Sequence, residues 1–182
     1  MAVSWTCPDC GLVYDSLAPQ DAIQALRSFP RRYREVIGPF IDDEDVLQRR
    51  PDRSTWSALE YTAHVADILE AMTPQLVEIV QKDDPHTDDP LDQDARAVDR
   101  GYNDMEPRDV LDWLTRSANT AAETCAGFSP DDWSRKAEFP YGQRELIDVV
   151  RNMVHEGVHH LRDVERVLRA VIGKPLPTDE ED

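Results

Sequence analysis

The stretch His155-Glu156-Gly157-Val158-His159-His160 carries donor groups at helical spacing. Residues i and i+4 of an α-helix share a face, one turn apart. The imidazoles of His155 and His159 can therefore grip one metal ion. The string also reads H-E-x-x-H, the helix signature of zinc proteases. The rest of that signature is missing. Glu165 lies on the same helix, Glu180 and Glu181 fall in the tail, and Arg162 stands where a longer H-E-x-x-H-x-x-G-x-x-H motif needs glycine. Glu156 could serve as a general base beside a ligand. It is rotated by about 100° from His155, and a solvated surface glutamate is the competing reading.

Further donors lie elsewhere in the chain. His64 sits beside the apolar positions Leu59, Ala63 and Ala66, and faces the same seam if its helix neighbours the one that holds His155 and His159. Three imidazoles leave coordination positions open for water or substrate, as catalytic sites do. Asp67, one turn after His64, could orient a ligand or act as a base; otherwise it is a surface residue. Arg151, one turn before His155, could hold an anionic carboxylate; otherwise it pairs with an acidic neighbour.

Cys7-Pro-Asp-Cys10-Gly is a C-x2-C turn shaped like a zinc knuckle, which supplies two of the four ligands of a structural site. Cys7 and Cys10 could bind a separate zinc with His86, with His160 or with a partner chain. They could also fold over the bundle and join the histidine site, form a redox pair, or bind no metal. A redox C-x-x-C normally opens a helix in a βαβ setting, and no such pattern surrounds this one. Cys125 lies on an apolar helical stripe and reads as a buried core cysteine.

The elements that must position these groups are helical. APQDAIQALRSFPRRYREVIGPF predicts a helix from about Pro19 to about Gly38, with Pro30 as a point of kinking or division. IDDEDVLQRRPDRS reads as a loop. A second helix is expected from about Trp56 to about Lys82, capped by Ser54 or Thr55 and disturbed at Pro74. DDPHTDDPLDQD reads as a polar, mobile loop. A third helix runs from about Pro107 to about Cys125, with Gly127 as its stop. SPDDWSRKAEFPYGQ reads as a connection with FPYG as a turn. The longest helix spans about Arg144 to about Val171, its apolar side marked by Val150, Met153, Val154, Gly157, Leu161, Val164 and Leu168. Gly157 costs helix stability, which suggests close approach by a neighbour. Four amphipathic helices with almost no strand signal predict an all-α four-helix bundle, a fold that builds metal sites from facing helices. The expected organisation is a knuckle-like appendage over 1–17, the bundle over 18–172 and a disordered acidic tail over 173–182.

WSALEYTAHVADIL on the second helix and VVRNMVHEGVHHLRDVERVL on the fourth resemble the DinB-like superfamily of metal-binding four-helix bundles. The resemblance covers roughly residues 18–171. It implies that His64, His155 and His159 bind a divalent ion, zinc first and nickel second, with His160 as the adjacent supporting histidine. It also implies an activity. Family members include S-transferases that use low-molecular-weight thiols such as bacillithiol and mycothiol, and metal-dependent isomerases or hydrolases. The metal would activate a thiol or a water molecule, and the partner would be a small thiol or electrophile. The CxxC appendage departs from the common family pattern.

The bulk composition narrows the alternatives. With 20 basic and 37 acidic residues in 182, the formal charge is −17. That disfavours nucleic acid and anionic membrane surfaces as partners. The N-terminus MAVSWTCPDC lacks a basic and apolar leader pattern, and no apolar run approaches the roughly 20 residues that span a bilayer. A cytoplasmic location follows as the expectation, with three cysteines that do not form a disulfide framework. A homodimer is a guess. Two functional readings compete with incidental histidines on an acidic bundle. One is an enzyme with an open three-histidine metal. The other is a non-catalytic module in which Cys7, Cys10 and histidines hold a structural zinc.

Overall fold

The structure, a computed structural model, describes residues 5–83, 85–86 and 92–173. Four long helices carry it: α1 (Pro19–Ile37), α2 (Ala58–Gln81), α3 (Pro107–Ala126) and α4 (Leu146–Val171). Proline opens α1 and α3, where its fixed φ suits the helix and its missing N–H costs nothing. A capping box opens α2. Ser57 Oγ accepts from the Glu60 amide at 3.1 Å, and the Glu60 carboxylate accepts from the Ser57 amide at 2.8 Å. The cap is therefore Ser57, not Ser54 or Thr55. Those two hydroxyls donate instead to Asp52, at 2.7 and 2.9 Å. Both α1 and α2 run through their internal prolines, Pro30 and Pro74, without a break.

Three departures from the sequence expectation are local. The stretch read as a loop after α1 contains a short helix, Glu44–Leu47, capped by the Asp43 carboxylate on the Val46 amide at 3.2 Å. A second short helix, Gln93–Asp99, starts at the Asp92 cap. The connection before α4 is an antiparallel hairpin, β1 (Lys136–Phe139) and β2 (Gly142–Glu145), so the fold is not purely helical. Phe139 pairs with Gly142, which leaves Pro140 and Tyr141 as the turn. Gly142 takes φ 105°, a value that glycine adopts without strain. The expected tail beyond Gly173 and most of the acidic loop between α2 and the second short helix lie outside the described residues.

In the bundle, α2 packs on α3 and α4, and α1 packs on the same two helices. Consecutive helices α1 and α2 thus stand diagonally, and α2 and α4 are neighbours. The core between them includes Phe29 and Tyr33 of α1, Leu59 and Leu69 of α2, Leu114 of α3 and Val150 and Val154 of α4. Gly157 of α4 receives α1. A Cβ there would lie 2.3 Å from the Phe29 ring, and Tyr33 Oη donates to the Gly157 carbonyl at 2.9 Å. The close approach expected at this glycine is made by α1. Among the described residues, no helix is long and apolar enough to cross a membrane.

The described part of the N-terminal segment forms a tight turn laid on α4. The Cys7 amide donates to the Leu12 carbonyl and the Gly11 amide to the Cys7 carbonyl, both at 2.9 Å. Gly11 has φ 72°, which closes the turn. Tyr14 Oη donates to Asn152 Oδ1 at 2.7 Å.

Candidate metal centre

The adjacency of α2 and α4 brings His64 to the α4 histidines, but not to the pair expected from spacing. His64 is buried, and its Nε2 lies 3.3 Å from Glu156 Oε2. The same carboxylate oxygen lies 3.2 Å from His160 Nε2. These three residues form one compact donor group. The partners of His64 are thus Glu156 and His160, themselves an i, i+4 pair one position on from His155 and His159. One step along a helix turns a side chain by about 100°, and that turn aims 156 and 160 at α2.

Packing holds this group in place. Tyr61 stacks on the His160 ring at 5.3 Å and 24°, and the Trp56 edge meets the His64 ring at 5.3 Å. His160 Nδ1 lies 2.9 Å from Asp163 Oδ2, which directs the other ring nitrogen toward Glu156. Burial opposes charge on His160, but the hydrogen bonds to Asp163 and Glu156 prevail and raise its pKa to about 9. Burial likewise opposes charge on Glu156. Hydrogen bonds from His160 and His64 overcome it and hold the carboxyl well below the usual carboxylate range.

His155 and His159 join a different group, with Cys7 and Cys10. Cys7 Sγ lies 3.5 Å from His159 Nδ1, and the His155 and His159 rings are 5.1 Å apart. Trp5 and Tyr14 of the N-terminal segment flank the His155 ring at 5.4 and 5.5 Å. Among the described residues, the buried His155 Nε2 has no hydrogen-bond partner. Burial lowers the His155 pKa, which favours the neutral ring that ligates metals. Burial pushes the Cys7 thiol up, but the amides of Cys10 and Asp9 and the His159 ring outweigh it and bring the pKa down to about 7.

The remaining candidates are engaged elsewhere. Asp67 accepts from Arg96 Nε at 2.7 Å and Nη2 at 2.6 Å, from Arg100 at 2.7 Å, and from the Tyr102 hydroxyl. It anchors the segment after the acidic loop and belongs to neither donor group. Arg151 donates to the Leu17 carbonyl at 3.1 Å, the Asp15 carbonyl at 3.2 Å and Asp148 at 3.1 Å. It binds the N-terminal segment to α4, so its donors are committed within the chain. His86 is exposed, forms a backbone bridge with Glu138 beside β1, and joins no donor group among the described residues. Cys125 is buried in α3, and burial pushes its thiol up to about 12, as suits a core cysteine.

Sequence reasoning gave His160 a supporting place beside the histidine site or a place with Cys7 and Cys10, not one with His64, and assigned Asp163 no role. The signal was present, because HEGVHH contains two interleaved i, i+4 pairs.

A cavity of about 540 Å³ shares Trp5 and Tyr14 with the surroundings of His155. Trp5, Tyr14, Asp15, Met72, Arg144 and Asn152 are among the residues that line it. Asn152 precedes Glu156 by one helical turn on the same face, so one lining residue lies a turn from the His64 group.

The sequence model of the DinB superfamily matches residues 25–164. The fold is similar to that of YfiT from Bacillus subtilis, described as a probable metal-dependent hydrolase with an unusual four-helix bundle topology. The TM-score is 0.76 over 88% of this chain and 93% of that one, at 15% sequence identity. Among curated proteins, no sequence match is found.

Proposed function

The chain belongs to the DinB superfamily, and on that premise we propose that it is a metal-dependent hydrolase whose divalent ion is held by His64, Glu156 and His160. The observation that carries this reading is the convergence of three donors from two neighbouring helices on one point. Two imidazoles and a carboxylate suit zinc and leave the ion short of a full protein set, as in catalytic sites. Nickel fits the same donors. The description of YfiT as a probable metal-dependent hydrolase supports the reaction class.

An ion held there supplies Lewis acidity and makes water a better nucleophile near neutral pH. The chain's own residues do the rest. Glu156 contributes negative charge toward the dication and is used as a ligand, so it is not a free general base. Asp163 accepts the Nδ1 proton of His160 and orients its Nε2 toward Glu156, where an ion would take the place of the Nε2 proton. Tyr61 and Trp56 cover the imidazoles and limit the positions they can take. The cavity lined by Asn152 offers room for a small substrate, with Arg144 as its cationic group.

The test is hydrolysis of p-nitrophenyl acetate by zinc-loaded protein, against the same protein with His64→Ala. The proposal expects zinc-dependent turnover that His64→Ala abolishes. Equal turnover by the two proteins would refute it. Turnover only when a small thiol is added would reassign the site to thiol transfer.

A further inference from the structure

We infer that Cys7, Cys10, His155 and His159 form a second, closed site for one zinc ion, which clamps the N-terminal segment onto α4. This goes beyond the proposed hydrolase and does not rest on it. The four ligand atoms all lie within 4.8 Å of one another. Two sulfurs and two imidazole nitrogens are the donor set of tetrahedral structural zinc, with C-x2-C and H-x3-H spacing. Each half is set locally. The turn closed by Gly11 gathers the thiols, and one helical turn separates the imidazoles.

Two observations point to a ligand here. The first is the buried His155 Nε2, which lacks a hydrogen-bond partner among the described residues. A buried polar atom left alone costs about 1–3 kcal/mol, and zinc would supply the missing partner. The second is His159. Its Nδ1 faces Cys7 at 3.5 Å while Asp163 lies 3.6 Å from its Nε2. A carboxylate on one ring nitrogen that leaves the other for metal is the usual support of a zinc-bound histidine.

Four protein donors leave no position for substrate, so the role is structural. Cys7 and Cys10 also lie outside residues 25–164, the stretch that matches the family. The clamp therefore adds to the family's bundle. Its consequence is spatial, because the segment it fixes carries Trp5, Tyr14 and Asp15, three of the residues that line the cavity.

Cobalt(II) substitution tests the clamp by a readout other than activity. The inference expects a thiolate-to-cobalt charge-transfer absorption from one cobalt ion per chain, and a second cobalt ion where the proposed catalytic site also binds. Cys7→Ser/Cys10→Ser should lose that absorption and one cobalt, while His64→Ala should lose the other cobalt and keep the absorption. In the wild type, zinc should also protect the two thiols from Ellman's reagent, a measurement that needs no variant to fold. Absence of charge transfer together with unprotected thiols would overturn the clamp. So would loss of the charge-transfer absorption in His64→Ala, which would mean a single shared site. A failure of the hydrolase reading would instead appear as cobalt bound only at the thiols.

Discussion

His159 and His160, adjacent in the chain, turn their rings to different partners. His159 Nδ1 lies 3.5 Å from Cys7 Sγ, whereas His160 Nε2 lies 3.2 Å from Glu156 Oε2. Their rings meet edge to face at 5.3 Å and 89°. One helix thereby serves both of these donor groups, and a single carboxylate, Asp163, stands behind a histidine of each and gathers the two histidines into a third cluster. Its Oδ2 is 2.9 Å from His160 Nδ1 and 3.6 Å from His159 Nε2.

That shared carboxylate leads to the first prediction. Asp163→Asn should weaken metal binding at both groups, by about 10–100-fold each. Competition with a chromophoric chelator measures the two affinities. If only one affinity falls, Asp163 supports one group alone.

Gly157→Ala should destabilise the fold by about 1–3 kcal/mol, because the new methyl group meets the Phe29 ring at 2.3 Å. Urea denaturation reads the change. Phe29→Leu in the same chain should recover part of the loss, since it removes the ring atoms that clash. Additive losses in the double variant would place the cost elsewhere.

Asp67 should govern stability in acid rather than catalysis. Burial would raise its pKa, but hydrogen bonds from Arg96 and Tyr102 and the charge of Arg100 hold it below the usual carboxylate range. A carboxyl depressed in the folded state contributes stability above its unfolded pKa of about 3.9 and loses it as pH falls toward the folded value. Asp67→Asn should therefore cost about 1–3 kcal/mol at neutral pH and flatten the fall in stability below about pH 4. Thermal melts across pH measure both. Unchanged stability with abolished hydrolysis would return Asp67 to the reaction.

Arg151→Ala should loosen the N-terminal segment while sparing the bundle. The guanidinium donates to the Leu17 and Asp15 carbonyls from a mostly buried position. Its loss should speed amide exchange over residues 5–17 by about tenfold, the equivalent of one or two hydrogen bonds. Amides in the middle of α3 should exchange as before. Unchanged exchange over 5–17 would mean that other contacts suffice.

The four long helices were legible because their signals are local. Pro19 and Pro107 open two of them, and the apolar period of α4 runs through most of its length. The hairpin was not legible, because four-residue strands offer only Ala137 and Phe139 as a buried face. The helix Gln93–Asp99 buries only Ala97, so it has little apolar period to read. In the site, spacing alone could not choose between the 155/159 and 156/160 pairs, because both fit one face of α4. The choice depends on which direction faces α2, a fact of packing. Asp67 looked available for the same kind of reason. Arg96 and Arg100, its partners, lie some thirty residues away, beyond the acidic loop.

Zinc content by elemental analysis in a Cys7→Ser/Cys10→Ser chain, with and without His160→Ala, tests the central claim most directly. The thiol group is then absent, and any zinc must sit at His64, Glu156 and His160. The account predicts one zinc per chain that disappears on adding His160→Ala. A chain that holds no zinc once its cysteines are gone, or that keeps its zinc without His160, would contradict it.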